Sequence, residues 1–248
     1  MMRVDLNADV GEVADPAHDA ALFPWLTSAS IACGVHAGSP DVMRRTLQLA
    51  ARHGVAAGAH PGFPDREGFG RRATPMAPAE VERLVCEQVA VLMALAQVEG
   101  VVLRHVKPHG ALYHLAAGDA EVADAVVQGA QAAGGGLAVV GPPDSALLAA
   151  ATRAGLRPLA EGFPDRAYRP DGHLVPRGEP GAVVCDAPTV AARAVTMVRD
   201  GCVEAQDGSR WSLRVDTLCL HGDSPGAARS ARAVREALDA AGIVVVAP

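Results

Sequence analysis

Apolar and polar residues alternate from the start of the chain. Over residues 4–9, Val4, Leu6 and Ala8 fall on one side of an extended strand, while Asp5, Asn7 and Asp9 fall on the other. Gly11 and Glu12 close this strand. Three acidic or amide groups on one face suit either an exposed edge strand or a barrel interior near its open end. Residues 28–36 alternate in the same way, with Ala29, Ile31, Cys33 and Val35 opposed to Ser28, Ser30, Ala32, Gly34 and His36. Ser39-Pro40 then supplies an N-cap followed by proline at the first helical position, which predicts a helix over 40–53 stopped by Gly54. A third strand is expected over 55–60. Helical spacing of Val81, Leu84, Val85, Val89 and Leu92 predicts a long helix over 78–99.

Period two returns within residues 102–114. His105, Lys107 and His109 share one face of a predicted strand, Val102, Arg104 and Val106 take the other, and the strand breaks at Pro108 and Gly110. Further elements follow: a helix over 119–133, a strand over 137–140, a helix over 143–154, a strand over 156–162 and a helix over 188–200. A hairpin turning at Asp207-Gly208 joins 203–206 to 209–215, and a last core strand covers 216–221. His221 precedes Ser224-Pro225 by the spacing that separates His36 from Ser39-Pro40, so a second strand, tight turn and capped helix are expected there. Strands and helices alternate seven times with no linker, which predicts one α/β domain over residues 1–248. A closed barrel accounts for the polar strand ends better than an open sheet, because barrel sites collect at the C-terminal ends of many strands.

Composition narrows the function classes. A formal charge of −6 and a pI near 5.8 argue against nucleic-acid or anionic-membrane partners, which need a basic surface. The N-terminus lacks a basic region followed by an apolar core, so no secretory signal is read. Five cysteines without a CxxC pair fit reduced thiols in a cytoplasmic protein. Aromatic residues make up 3% of the chain, which argues against a ligand held in a stacking cage. No GxGxxG follows the first strand, and GxxxxGK[ST], HExxH and GxSxG are absent.

Lys107 is the single lysine among 22 basic residues. A compact ammonium that can lose its proton when buried is not replaceable by arginine. The Gly/Pro/Arg-rich loop 60–72 is a candidate binding loop after a strand. The pentapeptide Gly-Phe-Pro-Asp-Arg occurs there, at 62–66, and again at 162–166; Asp65, Arg66, Asp165 and Arg166 are expected to line one opening.

Seven blocks in order, DLNADVGE (5–12), SASIACGVHAG (28–38), GAHPGFPDREGFGRR (58–72), HVKPHGALYH (105–114), EGFPDRAY (161–168), DGHLVPR (171–177) and LCLHGD (218–223), closely resemble the LamB/YcsF family. Departures stand at Ala8, where the family often has Cys, at Ser30, often Asn, and at Gly162-Phe163-Pro164, often Val-Phe-Ala. The resemblance implies a distorted (β/α) barrel of about seven strands, similar to the glycoside hydrolase/deacetylase superfamily. It also implies ATP-dependent hydrolytic opening of 5-oxo-L-proline to L-glutamate, carried out with 5-oxoprolinase subunits B and C. ATP is the implied cofactor, with a divalent ion, Mg2+ beside ATP or Zn2+ as in the superfamily's deacetylases.

Such a reaction needs a cation near developing negative charge, a base for water and a clamp for the substrate carboxylate. Lys107 is assigned the first role, Asp9 or Asp5 the base or a metal ligand, and His109 joins the catalytic set. Arg71, Arg166 and Arg177 suit a bidentate carboxylate clamp, and Asn7 and Glu161 complete the substrate-binding set. His36, His60 and His221 are the metal candidates. His18, His53, His114 and His173 are read as surface or loop residues. Replacing Lys107 by Met is expected to abolish turnover and leave the melting temperature nearly unchanged. Two alternatives remain: a stand-alone metal-dependent amidohydrolase or deacetylase, sensitive to chelators, and a non-catalytic lactam-binding regulatory subunit.

Overall fold

In the computed structural model, which describes residues 1–222 and 226–248, the alternation of β1 (Arg3–Val10) has its expected consequence. Val4, Leu6, Ala8 and Val10 are buried under the helical shell. Asp5, Asn7 and Asp9 turn into the centre of a barrel. The chain continues through α1 (Pro16–Leu22), a 3-10 turn (Phe23–Trp25), β2 (Ser28–Ala32), α2 (Pro40–His53), β3 (Ala56–His60), α3 (Pro78–Val98), β4 (Leu103–Val106), α4 (Gly110–Gly118) and α5 (Ala120–Ala133). It is completed by β5 (Ala138–Gly141), α6 (Ala146–Arg153), β6 (Pro158–Gly162), α7 (Ala187–Arg199), β7 (Cys202–Glu204), β8 (Arg210–Ser212), β9 (Thr217–His221), α8 (Ala227–Ala240) and β10 (Val244–Val245). Seven parallel strands, β1 to β6 and β9, form a closed TIM-like ring, because β9 pairs with both β6 and β1. β7 and β8 form an antiparallel hairpin outside it. Among the described residues, no helix is long and apolar enough to cross a membrane.

Register stacks the inward side chains in layers. Asp5 lies opposite Thr217, which lies opposite Glu161; Asp9 lies opposite Ser30, Ser30 opposite Gly58, and Gly58 opposite His105. Ser30 Oγ and His105 Nε2 meet at 3.1 Å across Gly58. A Cβ on residue 58 would sit 2.2 Å from that nitrogen, so only glycine lets the imidazole cross the strand.

Local signals placed α2 well. Ser39 Oγ accepts the N–H of Val42 at 3.3 Å, and Gly54 ends the helix with φ 66°. The hairpin also turns at Asp207-Gly208, with Gly208 at φ 82°. Elsewhere the expected boundaries move. β2 stops at Ala32, and His36 arrives on a loop in which Gly34 and Gly38 take positive φ. β4 stops at Val106, so His109 is the residue before a helix rather than part of a strand. That helix, α4, fills the stretch read as a break: Pro108 and Gly110 end the strand but permit a helix to start. α6 begins after the cap Ser145 rather than at Pro143. α1 and β10 carry no strong periodic signal and were not expected. The anticipated Ser224-Pro225 helix start lies outside the described residues.

Candidate active site

The floor of the barrel mouth is organised by Lys107, whose ammonium is held 2.8 Å from Asp9 Oδ1, 2.9 Å from Glu161 Oε1 and 3.0 Å from Cys219 Sγ. Asn7 Oδ1 stands at 3.5 Å, and Asn7 Nδ2 donates to Glu161 and to Thr217 Oγ1. Tyr113 donates its hydroxyl proton to Glu161 Oε2 at 3.0 Å. A charge removed from water must be paired to be tolerated, and here one cation meets two carboxylates. Burial opposes the Lys107 charge, but Asp9, Cys219 and Glu161 outweigh it and hold the ammonium well above the usual lysine range. Burial likewise opposes the Asp9 charge, and His60 and Lys107 together keep its carboxyl well below the usual range. Burial and the nearby Lys107 push His105 down to about 3.

Asp5 lies one layer deeper and is absent from the cavity wall. Its oxygens accept from Thr27, Ser28 and Thr217 hydroxyls at 2.6–2.7 Å. Burial raises its pKa in spite of these bonds. This placement corrects the expected direct role: Asp5 orients Thr217, which in turn receives the Asn7 amide.

A second cluster lies at the rim. His60 Nδ1 is 2.7 Å from the Lys107 carbonyl, and His109 Nε2 is 2.7 Å from the Phe69 carbonyl. A carbonyl oxygen can only accept, so each ring donates through that nitrogen and, when neutral, presents a lone pair at the other. Those lone pairs, on His60 Nε2 and His109 Nδ1, face each other at 3.0 Å. Glu12 Oε1 stands 3.2 Å from His109 Nδ1, 3.4 Å from His36 Nε2 and 3.8 Å from His60 Nε2. His36 stacks on His109 with centroids 3.9 Å apart, and both its ring nitrogens are buried without a hydrogen-bond partner. Burial pushes its pKa down to about 4. The ligand atoms of Glu12, His36, His60 and His109 all lie within 4.8 Å of one another. Acceptors converging this closely require a cation among them, a proton or a metal ion. Ring nitrogens oriented by backbone carbonyls on their far side are the usual arrangement of metal-binding histidines. Three imidazoles and a carboxylate could hold a Zn2+-like ion; Mg2+ prefers oxygen ligands.

Helix α3 supports this rim from behind. Gln88, 3% exposed, accepts the Gly62 N–H at 3.0 Å and donates to the Gly62 carbonyl at 2.9 Å. Gly62 lies against both rings: a Cβ there would stand 2.7 Å from His36 Nδ1 and 3.2 Å from His109 Cβ. The Pro61 carbonyl accepts the His109 N–H at 2.8 Å.

Above the floor opens a cavity of about 390 Å3 whose wall includes Lys107, Asp9, Arg71, Arg166, Arg177 and His221. The three arginines expected to clamp a carboxylate thus reach one space. Arg166 is 4% exposed, its guanidinium donating to the carbonyls of Val175 and Ala182. His221 stands apart from the four-donor set. Its Nδ1 is 2.9 Å from Asp165 Oδ2, and its ring stacks on Phe163. His114, read as a surface or loop residue, is carried by α4 to the same wall. Glu12 is the residue sequence reasoning missed: it lies beyond β1, where alternation no longer speaks, and its only signal was an acid directly after a strand-ending glycine.

The two GFPDR segments do not share one opening. Asp65 grips the Arg72 guanidinium and accepts from Gly68 N–H, while Arg66 donates to the carbonyls of Gly34 and Gly38. Neither lines the cavity.

These features define a TIM-like β/α barrel with a lysine–carboxylate floor and a histidine-rich rim at its strand ends. A peptidoglycan deacetylase from Bacillus subtilis shares the fold, with a TM-score of 0.50 at 12% identity over 99% of this chain and 87% of that one. The chain belongs to the LamB/YcsF family, whose model matches residues 4–248. It is 50% identical over 251 residues to a protein of Chloroflexus aggregans named as the A subunit of 5-oxoprolinase, covering 100% of both chains. It is 49% identical to the protein so named in Thermus thermophilus, over 98% of this chain and 99% of that one. A crystal structure titled lactam utilization protein, also from Thermus thermophilus, superposes with a TM-score of 0.92 at 48% identity, covering 100% of each chain.

Proposed function

We propose that the chain, as one barrel domain over residues 1–248, is the A subunit of a 5-oxoprolinase. It opens 5-oxo-L-proline hydrolytically to L-glutamate in the cytoplasm, with ATP going to ADP and phosphate, together with subunits B and C. The names borne by relatives of about 50% identity over the full length support the substrate. The observation that carries the chemistry is the Lys107 ammonium between Asp9 and Glu161 at the base of a cavity walled by three arginines.

A lactam carbonyl under attack gathers negative charge on oxygen, and a buried ammonium stabilises that charge far more than water does. Lys107 fills this role. ATP phosphorylates the lactam oxygen with release of ADP. Asp9, held ionised beside Lys107, takes a proton from the water that attacks the activated carbon and returns it to the ring nitrogen as the C–N bond breaks. A second water then releases phosphate from the new carboxyl. Arg71, Arg166 and Arg177 receive the substrate carboxylate, and Asn7 and Glu161, expected to bind substrate, stand outside the wall of this cavity and instead hold Lys107 in place. Glu12, His36, His60 and His109 would hold a divalent ion, which when bound supplies Lewis acidity beside Asp9. Purifying the chain alone and with subunits B and C, then following glutamate release from 5-oxoproline with and without ATP, tests the reading. Release requiring ATP and all three subunits is expected; release by the chain alone without ATP rejects it.

The rim donor set favours a second reading, metal-dependent amide hydrolysis by this chain alone. That reading requires activity without ATP that chelators remove and Zn2+ restores.

A further inference from the structure

Beyond the wall formed by Tyr113, His114, Phe163 and Leu174 lies a second cavity, of about 360 Å3, that shares those four residues with the first. The two spaces meet at one ion pair from opposite sides. Lys107 lines the first and Glu161 the second, and Glu161 binds Lys107 with one oxygen and the Tyr113 hydroxyl with the other. Their linings differ sharply. Arg71, Lys107, Arg166 and Arg177 face the first cavity, whereas no lysine or arginine lines the second among the described residues. Its acidic groups are Glu161, Asp144 and Asp171; two histidines, His114 and His173, line it as well, with His173 Nδ1 3.2 Å from Asp171 Oδ1.

Aromatic residues are scarce in this chain: two Trp, two Tyr and four Phe. Four of these eight, Tyr113, Phe163, Tyr168 and Trp211, surround this one cavity. The composition argued against an aromatic cage; the fold concentrates the few rings available. Trp211 reaches the site from β8. The hairpin is tied to the adjoining loop by the Gln206 N–H bonded to the Tyr168 carbonyl at 2.9 Å. Its indole covers Gly172, where a Cβ would sit 2.3 Å from Cε2, and it remains 41% exposed. An indole held in place with a free face is a stacking platform, and three carboxylates with no lysine or arginine favour hydrogen-bond donors over anions.

We propose that this cavity is a second ligand compartment, which takes a planar nitrogen heterocycle carrying an exocyclic amine. The ring packs against Trp211 and the amine points to the carboxylates. The compartment's part in catalysis rests on the ATP-dependent reading and deepens it by giving the nucleotide's ring a place; its existence as a binding site does not.

The test uses the full chain. Trp25 is the other indole, so a Trp25→Phe variant leaves Trp211 as sole reporter. Titration with adenosine should quench its fluorescence saturably. Inosine, which presents a carbonyl in place of the amine, should bind about tenfold more weakly, as expected for an acceptor facing an acceptor. By calorimetry, Trp211→Ala should lose about tenfold or more in adenosine affinity through the lost stacking face, while Trp211→Phe keeps most of it. Absence of saturable quenching by adenosine at millimolar concentration, equal affinity for inosine, or unchanged binding by both Trp211 variants overturns the compartment. In the complex with subunits B and C, Trp211→Ala should raise the KM for ATP with kcat little changed; an unchanged KM removes the compartment from catalysis. Glutamate release without ATP would defeat the functional reading while leaving adenosine binding to be judged separately.

Discussion

The floor and the rim of the barrel mouth face the same electrostatic problem and resolve it differently. At the floor, the chain supplies both signs: one ammonium lies within 2.9 Å of two carboxylates, and the remaining polar atoms of Asn7 and Glu161 are bonded to Thr217 and Tyr113. At the rim, Glu12 and three imidazoles bring lone pairs together, and the chain places no lysine or arginine among them. The floor is closed, whereas the rim calls for a cation from outside, a proton or a metal ion. A buried polar group left without its partner is costly, so each cluster should answer differently to the loss of a residue and to added ions.

The largest effect is expected at the floor. Lys107→Met should abolish turnover and, by leaving Asp9 and Glu161 as uncompensated buried carboxylates, destabilise the fold by about 3–5 kcal/mol in denaturant titration. The geometry here argues for a loss of stability in place of the unchanged melting temperature expected from the sequence; a variant as stable as the parent would break the contrast between the clusters. At the rim, Zn2+ at about a hundred times its Kd should add about 2.7 kcal/mol of stability. Mg2+ at the same concentration should add far less. Glu12→Gln should remove most of the Zn2+ effect, and a Zn2+ response surviving in that variant would mean the ion binds elsewhere. Gln88→Leu comes next. It strips both partners from the Gly62 peptide, costing about 1–3 kcal/mol, and should weaken Zn2+ binding about tenfold by releasing the segment behind His60; unaltered Zn2+ affinity would make Gln88 merely structural.

The smallest effects separate the two identical pentapeptides. Asp165→Asn removes the negative charge on the oxygen that accepts from the His221 ring and backbone N–H, both at 2.9 Å, in a buried site. A cost of about 1–3 kcal/mol is expected at neutral pH. Burial opposes the Asp165 charge, but His221 and Arg177 outweigh it, so its folded pKa lies below the ordinary 3.8. Its contribution is therefore complete above that value and lost as pH falls through the folded pKa. The melting-temperature gap between parent and Asp165→Asn should close in acid. Asp65→Asn acts on a pair whose Arg72 side chain is 65% exposed, and it should shift stability least of all.

Much of the frame was readable in the chain. Alternation over β1 put Asp5, Asn7 and Asp9 on one face, and the strand–helix rhythm pointed to a barrel. The Ser39 cap and Gly54 stop bounded α2, because caps and stops act through neighbours a few residues away. Lys107 stood out by its rarity. Other features were not readable. Alternation ends where the backbone leaves the strand, so Glu12 and the loop position of His36 had no periodic signature. The helix α4 was hidden behind Pro108 and Gly110, which mark the end of a strand without specifying the next element.

The sequence by itself determined which faces of the strands are polar, where local caps begin and end helices, and the family pattern. Those properties depend on a few adjacent residues and on the period of two or 3.6. Only the tertiary structure decided that Asp5 supports rather than lines the cavity, that His109 and Glu12 rather than His221 complete the rim, and that GFPDR does different work in its two places. It also gathered half the aromatic rings around one space. These outcomes depend on barrel closure and strand register, which bring residues 100 or more positions apart, such as Lys107 and Cys219, to 3.0 Å.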